Sequence, residues 1–292
     1  MGRVRITDVM IDPDTLRRTV RAALEEDVGS GDVTSLAVVP EAARGRGSIV
    51  ARQPLVVAGL PVAREVFREV GSRLEFHESC AEGADLAAGA TLALVGGRAR
   101  AILEGERTAL NFLQRMSGIA TLTRRLVRMA AGSGVEIADT RKTAPGLRSL
   151  DKYAVKIGGG TNHRAGLYDG ILIKDNHWRL VGGVGEAVRR ARRAAGAATP
   201  EGGRVEIEVG TLAEVREALD AGAGALLLDN LDAATLEQAV AIARGRAFLE
   251  VSGGIEESDI PRVIGLGVNR ISLGLLTHSV RAADIALELL PI

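Results

Sequence analysis

The sequence contains very few aromatic residues and a single cysteine. Phe, Trp and Tyr make up only 2% of the 292 residues, so the apolar core must be built mainly from Ala, Val, Leu and Ile. Recognition of single-stranded nucleic acid relies on aromatic side chains that stack on bases, and this chain has few to offer. Cys80 alone cannot form an internal disulfide or a thiolate metal site, and we expect it to be a small packed residue.

The chain also lacks net charge and long apolar runs. Its 37 basic residues balance 37 acidic residues, which argues against a polyanion-binding or membrane-surface protein but permits a local basic pocket. No apolar run reaches the ~18 residues of a membrane span. The charged segment 1–14 has no signal-peptide core. We therefore expect a cytoplasmic protein that binds neither membranes nor nucleic acid.

From about residue 133 onward, short apolar runs alternate with small loops and amphipathic stretches. Continuous apolar runs are typical of buried parallel strands, and their alternation with helices predicts a parallel α/β sheet. Six or seven such units fit a (β/α) barrel better than a doubly wound sheet, although the second arrangement stays open. The apolar runs are Val135–Ala138, Ile171–Ile173, Val205–Val209, Ala225–Leu228, Ala247–Val251 and Arg270–Leu273.

The first part of the chain predicts a separate α/β domain. Asp12-Pro13 predicts a helix start, because a capping carboxylate precedes a first-turn proline. A long helix is predicted over Arg98–Met116, and the domain boundary is placed just after it, near Ser117-Gly118. The predicted division is an α/β domain over 1–116, a barrel over 117–276, and a C-terminal segment over 277–292 that returns to the first domain.

Polar residues follow each of the six apolar runs. Because the active sites of (β/α) barrels lie at the carboxyl ends of the strands, these residues indicate one shared polar basin. Charged groups at apolar strand ends cost desolvation free energy unless they face a ligand or one another. The set consists of Asp139–Lys142, Lys174–Asn176, Glu208, Asp229-Asn230, Ser252–Gly254 and Gly274.

All four lysines of this arginine-rich chain lie between residues 142 and 174. Lysine supplies a compact, mobile charge that the planar arginine fork does not reproduce. We predict functional roles for Lys142 and Lys174, which follow apolar runs. Lys152 and Lys156 are four residues apart on a predicted helix, and we expect them to be solvated. His177 is either a support for this basin or a simple loop residue.

Further basic residues make the basin mainly cationic, with Glu208 and Asp229 as its main acids. Arginine forks bind carboxylates and phosphates through paired hydrogen bonds. Such a basin suits a polyanionic substrate with a carbocation-like centre held between the acids. Ser252–Gly254, after a strand and before a helix, predicts a phosphate-binding turn, although such a glycine pair is as often a simple turn. The additional basic residues are Arg141, Arg148, His163 and Arg164.

Eight motifs, in order along nearly the whole chain, resemble those of the quinolinate phosphoribosyltransferase family of NAD biosynthesis. Their combination is specific, whereas Glu206–Glu208 or Ser252–Gly254 alone would not be. The motifs are Glu26–Thr34, Glu106–Thr121, Asp139–Arg148, Gly158–Arg164, Ile173–His177, Glu206–Val209, Leu228–Asn230 and Ser252–Ile255. Gly210, where the family often has an acid, and Ala144, where a larger apolar residue is common, depart from the pattern.

The resemblance implies a fold, a reaction and an assembly. The implied fold is an open-faced α/β sandwich joined to an incomplete (β/α) barrel. The implied reaction uses Mg²⁺ and joins quinolinate to phosphoribosyl pyrophosphate, giving nicotinate mononucleotide, pyrophosphate and carbon dioxide. The implied assembly is a homo-oligomer, at least a dimer, in which Arg107 completes the site of the partner subunit.

The resemblance also implies a role for each matching residue. The implied catalytic residues are Lys142, Lys174, Glu208 and Asp229, and the two acids are also linked, indirectly, to Mg²⁺. The implied ligands of the quinolinate carboxylates are Arg107, Arg141, His163 and Arg164. The other implied substrate-binding residues are Thr140, then Ser252, Gly253, Gly254 and Gly274 for the 5′-phosphate, and His278 for the phosphate or pyrophosphate side.

Three other functions stay open at this point. A paralogous branch associated with molybdenum transport operons keeps much of the same motif set and acts on another substrate. A Schiff-base lyase would use Lys174 as its nucleophile. A non-catalytic phosphate-binding barrel would bind its ligand without releasing carbon dioxide.

Overall fold

The computed structural model describes residues 11–71, 73–198 and 205–292. These residues form two compact units. The first comprises the described residues up to Arg124 together with Thr143–Gly159 and Leu275–Ile292, and the second comprises Arg125–Lys142 and the described residues of Gly160–Gly274. Within the described ranges, no helix combines the length and the hydropathy that a membrane span requires.

An antiparallel four-stranded sheet is the framework of the first unit. Its strands are β1 (Arg44–Ala51), β3 (Glu75–Glu78), β5 (Thr91–Arg98) and β12 (Ile285–Pro291), and a separate pair is formed by β2 (Leu55–Val56) and β4 (Asp85–Leu86). The strand order is β12-β1-β5-β3. Because β1 pairs with both β5 and β12, the last strand of the chain lies beside the first.

Six helices of the described part of the chain belong wholly or mainly to the first unit. They are α1 (Pro13–Val28), α2 (Val33–Val38), α3 (Leu60–Val70), α4 (Ala99–Met129), α5 (Arg148–Ile157) and α11 (Leu275–His278). The predicted start of α1 is confirmed, since the Asp12 carboxylate accepts the Thr15 N–H at 2.8 Å. α4 runs unbroken through Ser117-Gly118, where the sequence suggested a boundary. The division into 1–116, 117–276 and 277–292 stays a prediction.

Lys152 is buried, with only 6% of its surface exposed, so the prediction of a solvated lysine is wrong. The reason is that α5 is covered on more than one face: Leu150, Tyr153 and Ala154 are buried as well. The four-residue spacing of Lys152 and Lys156 placed the two lysines on one side of the helix, but it did not show that this side is covered. Lys156 is half-buried.

A parallel six-stranded sheet forms the second unit and confirms all six predicted strands. They are β6 (Glu136–Ala138), β7 (Leu172–Ile173), β8 (Glu206–Val209), β9 (Ala225–Asp229), β10 (Phe248–Ser252) and β11 (Arg270–Ser272). The strand order is β6-β11-β10-β9-β8-β7. The first strand lies beside the last one, as in a barrel, while β6 and β7 are the two edges. The sheet is therefore an incomplete barrel rather than a doubly wound sheet.

The helices of the second unit lie between these strands in the sequence. They are α6 (Asp175–Leu180), α7 (Val184–Ala198), α8 (Leu212–Asp220), α9 (Ala233–Ala243) and α10 (Ile260–Gly265), with a 3₁₀ turn at Glu257–Asp259. Side-chain caps begin two of them: Thr211 accepts the Glu214 N–H at 3.2 Å, and Asp232 accepts the Thr235 N–H at 2.9 Å. The alternation of strand and helix brings the carboxyl ends of the six strands to one end of the sheet.

Candidate active site

A cavity of about 400 Å³ opens at the carboxyl ends of the parallel strands, and all of its lining residues belong to the second unit. The residues predicted from sequence that line it are Thr140, Arg141, Lys142, His163, Arg164, Lys174, Glu208, Asp229, Ser252, Gly253 and Gly254. It is also lined by Leu172, Leu227, Asn230, Glu250 and Ser272. Arg107, Arg148 and His278 lie in the first unit. Gly274 follows β11 and is not part of this lining in the described ranges.

Two arginines and a lysine form the basic side of the cavity. Arg141 and Lys142 lie on the loop after β6, where the backbone N–H of Lys142 donates to Thr140 Oγ1 at 3.0 Å and folds the loop back. Arg164 lies on the loop after α5, and its guanidinium donates to the Gly170 carbonyl at 3.2 Å. Burial, and then the charge of Arg141, lowers the pKa of Arg164. The positive charges therefore repel each other, and a bound anion would relieve that repulsion.

Lys174 and Glu208 connect the ends of two paired strands. β7 and β8 are in register at Ile173 and Ile207, and the next side chains, Lys174 Nζ and Glu208 Oε2, are in direct contact. The backbone N–H of Lys174 donates to His177 Nδ1 at 2.8 Å. His177 thus supports the start of α6 and the backbone of Lys174, and it does not line the cavity within the described residues.

Asp229 is the second acid of the cavity. Burial, and then the negative charge of Glu208, raises the pKa of Asp229. The amide of Asn230, which donates to Asp229 Oδ2 at 2.6 Å, and the charges of Lys174 and Lys142 act in the opposite direction. Glu208 and Asp229 therefore share one electrostatic environment with two lysines, and both present carboxylate oxygens to the cavity.

The turn after β10 has a shape that only glycine permits. Gly253 has φ +85°, and a Cβ on it would lie 2.5 Å from Asn230 Oδ1. Asn230 itself has φ 53°, the one positive value among the non-glycine residues that the structure describes. Its backbone N–H donates to the Ser252 carbonyl at 3.1 Å. The Ser252–Gly254 turn therefore packs directly against Asn230, which follows β9.

A buried group of charges lies beneath the basic side chains. His163 Nε2 is 3.3 Å from a carboxylate oxygen of Glu206 and 3.3 Å from one of Glu250. Glu250 is fully buried, and its other oxygen is 3.2 Å from Arg270 Nη1. Burial alone would lower the pKa of His163, but Glu206 and Glu250 outweigh it and raise the pKa. On the other side of the ring, Nδ1 accepts the backbone N–H of Arg164 at 2.7 Å.

Comparison with protein families identifies the chain. The description "Quinolinate phosphoribosyl transferase, C-terminal domain" matches residues 119–288, and "Quinolinate phosphoribosyl transferase, N-terminal domain" matches residues 32–117. The chain belongs to the quinolinate phosphoribosyltransferase family. Both domains of the family are present in the family's order, as the motif resemblance predicted.

Similar proteins within the family cover nearly the same length. A probable nicotinate-nucleotide pyrophosphorylase [carboxylating] of Bacillus subtilis (strain 168) is 41% identical over 94% of this chain and 93% of its own length. A nicotinate-nucleotide pyrophosphorylase [carboxylating] of Mycobacterium leprae (strain TN) is 44% identical over 94% of this chain and 98% of its own length. The solved nicotinate-nucleotide pyrophosphorylase of Francisella tularensis has a TM-score of 0.90 at 36% identity and covers 99% of this chain and 100% of its own.

Several residues of this family member were not assigned a role from sequence. Asp139 is fully buried and accepts the His163 N–H at 2.8 Å and the Asn162 amide at 2.6 Å. Glu206 and Glu250 hold the His163 ring, as described above. A signal was present for both: Glu206 is two residues from Glu208 and so faces the same side of β8, and Glu250 interrupts an apolar strand.

Proposed function

We propose that the chain transfers the phosphoribosyl group of phosphoribosyl pyrophosphate to quinolinate with loss of carbon dioxide, a step of NAD biosynthesis. The observation that carries the proposal is that basic and acidic side chains from successive strand ends line one cavity. They are Arg141, Lys142, Arg164, Lys174, Glu208 and Asp229. Two multiply charged anions need such a concentration of positive charge, and a cationic sugar intermediate needs the adjacent acids.

Substrate binding divides between the two sides of the cavity. Arg141 and Arg164 suit the two carboxylates of quinolinate, because each guanidinium can donate two parallel hydrogen bonds to a carboxylate. The Ser252–Gly254 turn suits the 5′-phosphate, because its glycines let the phosphate approach the backbone closely. Lys142 and Lys174 lie where they can serve both anions. Leu172 and Leu227 add an apolar surface for the pyridine ring.

Glycosyl transfer requires the bond from the ribose C1 to pyrophosphate to break as the pyridine nitrogen approaches. Positive charge then develops on the sugar, and the carboxylates of Glu208 and Asp229 stabilise it. The basic side chains take up the negative charge of the departing pyrophosphate. Since both reactants are held in one cavity, much of the rate gain comes from orientation.

Decarboxylation follows from the charge on the ring. Once the pyridine nitrogen is bonded to ribose, the ring is cationic and stabilises the electron pair that remains on C2 when carbon dioxide leaves. C2 then takes up a proton, for which the ammonium groups of Lys142 and Lys174 are the candidate donors. The contact of Lys174 with Glu208 orients that ammonium group.

Mg²⁺ is part of the proposal. It prefers oxygen ligands, and Glu208 and Asp229 offer carboxylate oxygens in the same cavity. Burial, and then the charge of Glu208, raises the pKa of Asp229, and a cation near both carboxylates would relieve their repulsion. When bound, Mg²⁺ would neutralise charge on the phosphate groups of phosphoribosyl pyrophosphate.

The assembly and the location belong to the proposal as well. We propose a homo-oligomer, at least a dimer, in which Arg107 of one subunit completes the partner's site; Arg107 is exposed on α4, where it can reach another chain. His278 and Gly274 keep the phosphate-side roles implied by the family. A cytoplasmic location agrees with the single cysteine, which needs no oxidising compartment.

The contact between Lys174 and Glu208 argues against a Schiff-base lyase. A nucleophilic lysine must be free to attack a carbonyl carbon, and Lys174 Nζ is instead in direct contact with the carboxylate of Glu208. The molybdenum-linked alternative keeps the fold and changes the ligand. Two arginines on one side of the cavity favour a substrate with two carboxylates.

The test is product formation from quinolinate and phosphoribosyl pyrophosphate with Mg²⁺, followed by chromatography of nicotinate mononucleotide. Nicotinate, which lacks the 2-carboxylate, is the control substrate and should give no product. Thermal shift with each acid gives a second readout, and quinolinate should stabilise the protein more. Stabilisation by nicotinate alone, or no mononucleotide from quinolinate, would overturn the proposal.

A further inference from the structure

His163 is held by protein groups on both ring nitrogens. Nε2 faces one oxygen each of Glu206 and Glu250 at 3.3 Å, and Nδ1 accepts the Arg164 N–H at 2.7 Å. An amide N–H can point at Nδ1 only if that nitrogen carries no proton. In the neutral ring, the contact at Nδ1 therefore selects one tautomer, with the proton on Nε2, the nitrogen that faces the two carboxylates.

The carboxylates themselves are fixed from behind. Glu250 is fully buried, and Arg270 Nη1 lies 3.2 Å from the Glu250 oxygen that faces away from His163. Arg270 is held in turn by Glu136 at 2.8 Å. Glu206 is 8% exposed. Rotation of the Glu250 carboxylate would break its pairing with Arg270, so its other oxygen stays directed at the imidazole.

The arrangement around His163 fixes the backbone of the next residue, Arg164. Arg164 follows His163 directly, its backbone N–H is bound by the imidazole, and its guanidinium lines the cavity. On the other side, Asp139 accepts the His163 N–H at 2.8 Å. The backbone that carries Arg164 is thus fixed at two consecutive amides, one by a buried carboxylate and one by the imidazole.

We propose that Glu206 and Glu250 are positioning residues that hold His163 in its Nε2–H tautomer, so that Nδ1 fixes the Arg164 backbone and directs its guanidinium to the substrate. The role of Arg164 toward a substrate carboxylate rests on the proposed function. The tautomer and its cause do not, since both are properties of the protein without substrate.

Glu250→Gln is the direct test. Arg270 donates to the side-chain oxygen, so the glutamine must direct its NH₂ group at Nε2, which then becomes an acceptor and favours the proton on Nδ1. That proton displaces the Arg164 amide. Glu136→Gln is the matched control, because Glu136 also pairs with Arg270 but is 43% exposed and contacts Arg270 from the other side.

Two measurements follow on the wild type and the variants. Long-range ¹H–¹⁵N NMR of the histidine ring, recorded at a pH above the raised pKa of His163 so that the ring is neutral, and assigned by its loss in His163→Gln, reports the tautomer without substrate. Titration with quinolinate reports the dissociation constant. We expect the Nε2–H tautomer in the wild type and in Glu136→Gln. In Glu250→Gln we expect a shift toward Nδ1–H and quinolinate binding about ten-fold or more weaker.

Several outcomes would overturn the inference. They are an Nδ1–H tautomer in the wild type, equal loss of affinity in Glu250→Gln and Glu136→Gln, or one metal ion per chain in the purified protein. A bound metal ion would mean that these residues form a metal site instead, because donor atoms of His163, Glu206 and Glu250 lie within 4.8 Å of one another. Should Glu250→Gln fail to fold, Glu206→Gln tests the same claim. Failure to bind quinolinate at all would count against the proposed function and leave the tautomer result standing.

Discussion

At the scale of single residues, the cavity places like charges close together before any substrate is bound. Burial, and then the charge of Arg141, lowers the pKa of Arg164; burial, and then the charge of Glu208, raises the pKa of Asp229. Both repulsions cost free energy in the empty site. Anions on the basic side, and a cation near the acids, relieve them, so the site is organised for charged ligands.

Arg141→Ala should lower kcat/KM for quinolinate about ten- to hundred-fold, because loss of one charge-assisted hydrogen bond costs roughly 1.5–3 kcal/mol. Arg189→Ala is the control: Arg189 lies on α7 and pairs with Glu186 on the surface. Steady-state kinetics should show no change in this control. Equal activity of Arg141→Ala and the wild type would contradict the assignment of Arg141.

The sequence predicted those cavity residues that directly follow a strand. Arg141, Lys142, Lys174 and Glu208 follow apolar runs, and the barrel places the ends of those runs together. The buried support was not predictable in the same way. Whether Glu250 faces Arg270 or His163 depends on strand register and side-chain rotamers, and neither can be read from the spacing of residues along the chain.

At the scale of elements, α3 is capped by a residue distant in sequence. Gly59 precedes the helix and has no capping side chain, and the Glu82 carboxylate accepts the N–H groups of Gly59 at 2.6 Å and Leu60 at 3.0 Å. Burial raises the pKa of Glu82 to about 7 despite these hydrogen bonds. The cap therefore titrates near neutral pH, well above the ordinary value of 4.5 for glutamate.

The stability of the protein should fall as this group ionises. Because the folded pKa is raised, the contribution of Glu82 is fully present below about pH 4.5 and is lost as the pH rises through about 7. Denaturant unfolding from pH 4.5 to 8 should show this loss, on the order of a few kcal/mol at most, in the wild type. Glu82→Gln should lack it, and Glu75→Gln, an exposed control, should keep it. The same pH dependence of the free energy of unfolding in the wild type and in Glu82→Gln would contradict the proposed titration of this cap.

The presence of helices and strands was predicted better than the residues at which they end. The six parallel strands follow from their apolar runs, because a strand covered on both faces has no polar alternation. The end of α4 was missed: the sequence suggested Met116, and the helix continues to Met129. Ser117-Gly118 resembled a break, but Ser117 is buried and its hydroxyl bonds to the Ala58 backbone, which holds the helix at that point.

At the scale of the whole molecule, the proposed site needs a residue from a second chain. Arg107→Ala and Lys142→Ala should each retain at most about a tenth of wild-type activity. Coexpression under two affinity tags should form mixed dimers in which one of the two sites is intact, because Arg107 and Lys142 then come from different chains. Random pairing makes about half of the dimers mixed, and each mixed dimer has one intact site of two. The unfractionated mixture should therefore show about a quarter of wild-type activity. Activity no higher than that of the separate variants would contradict the contribution of Arg107 to the partner's site.

In the proposed reaction, one cavity joins two anions and then removes a carboxylate. The direct measurement is the release of labelled carbon dioxide from quinolinate labelled at the 2-carboxylate, counted against the nicotinate mononucleotide formed with Mg²⁺. We predict equal amounts of the two products, release only when phosphoribosyl pyrophosphate is present, and a ten- to hundred-fold slower reaction in Lys142→Ala, about the loss of one charged anchor. Carbon dioxide without mononucleotide, or neither product from the wild-type protein, would contradict it.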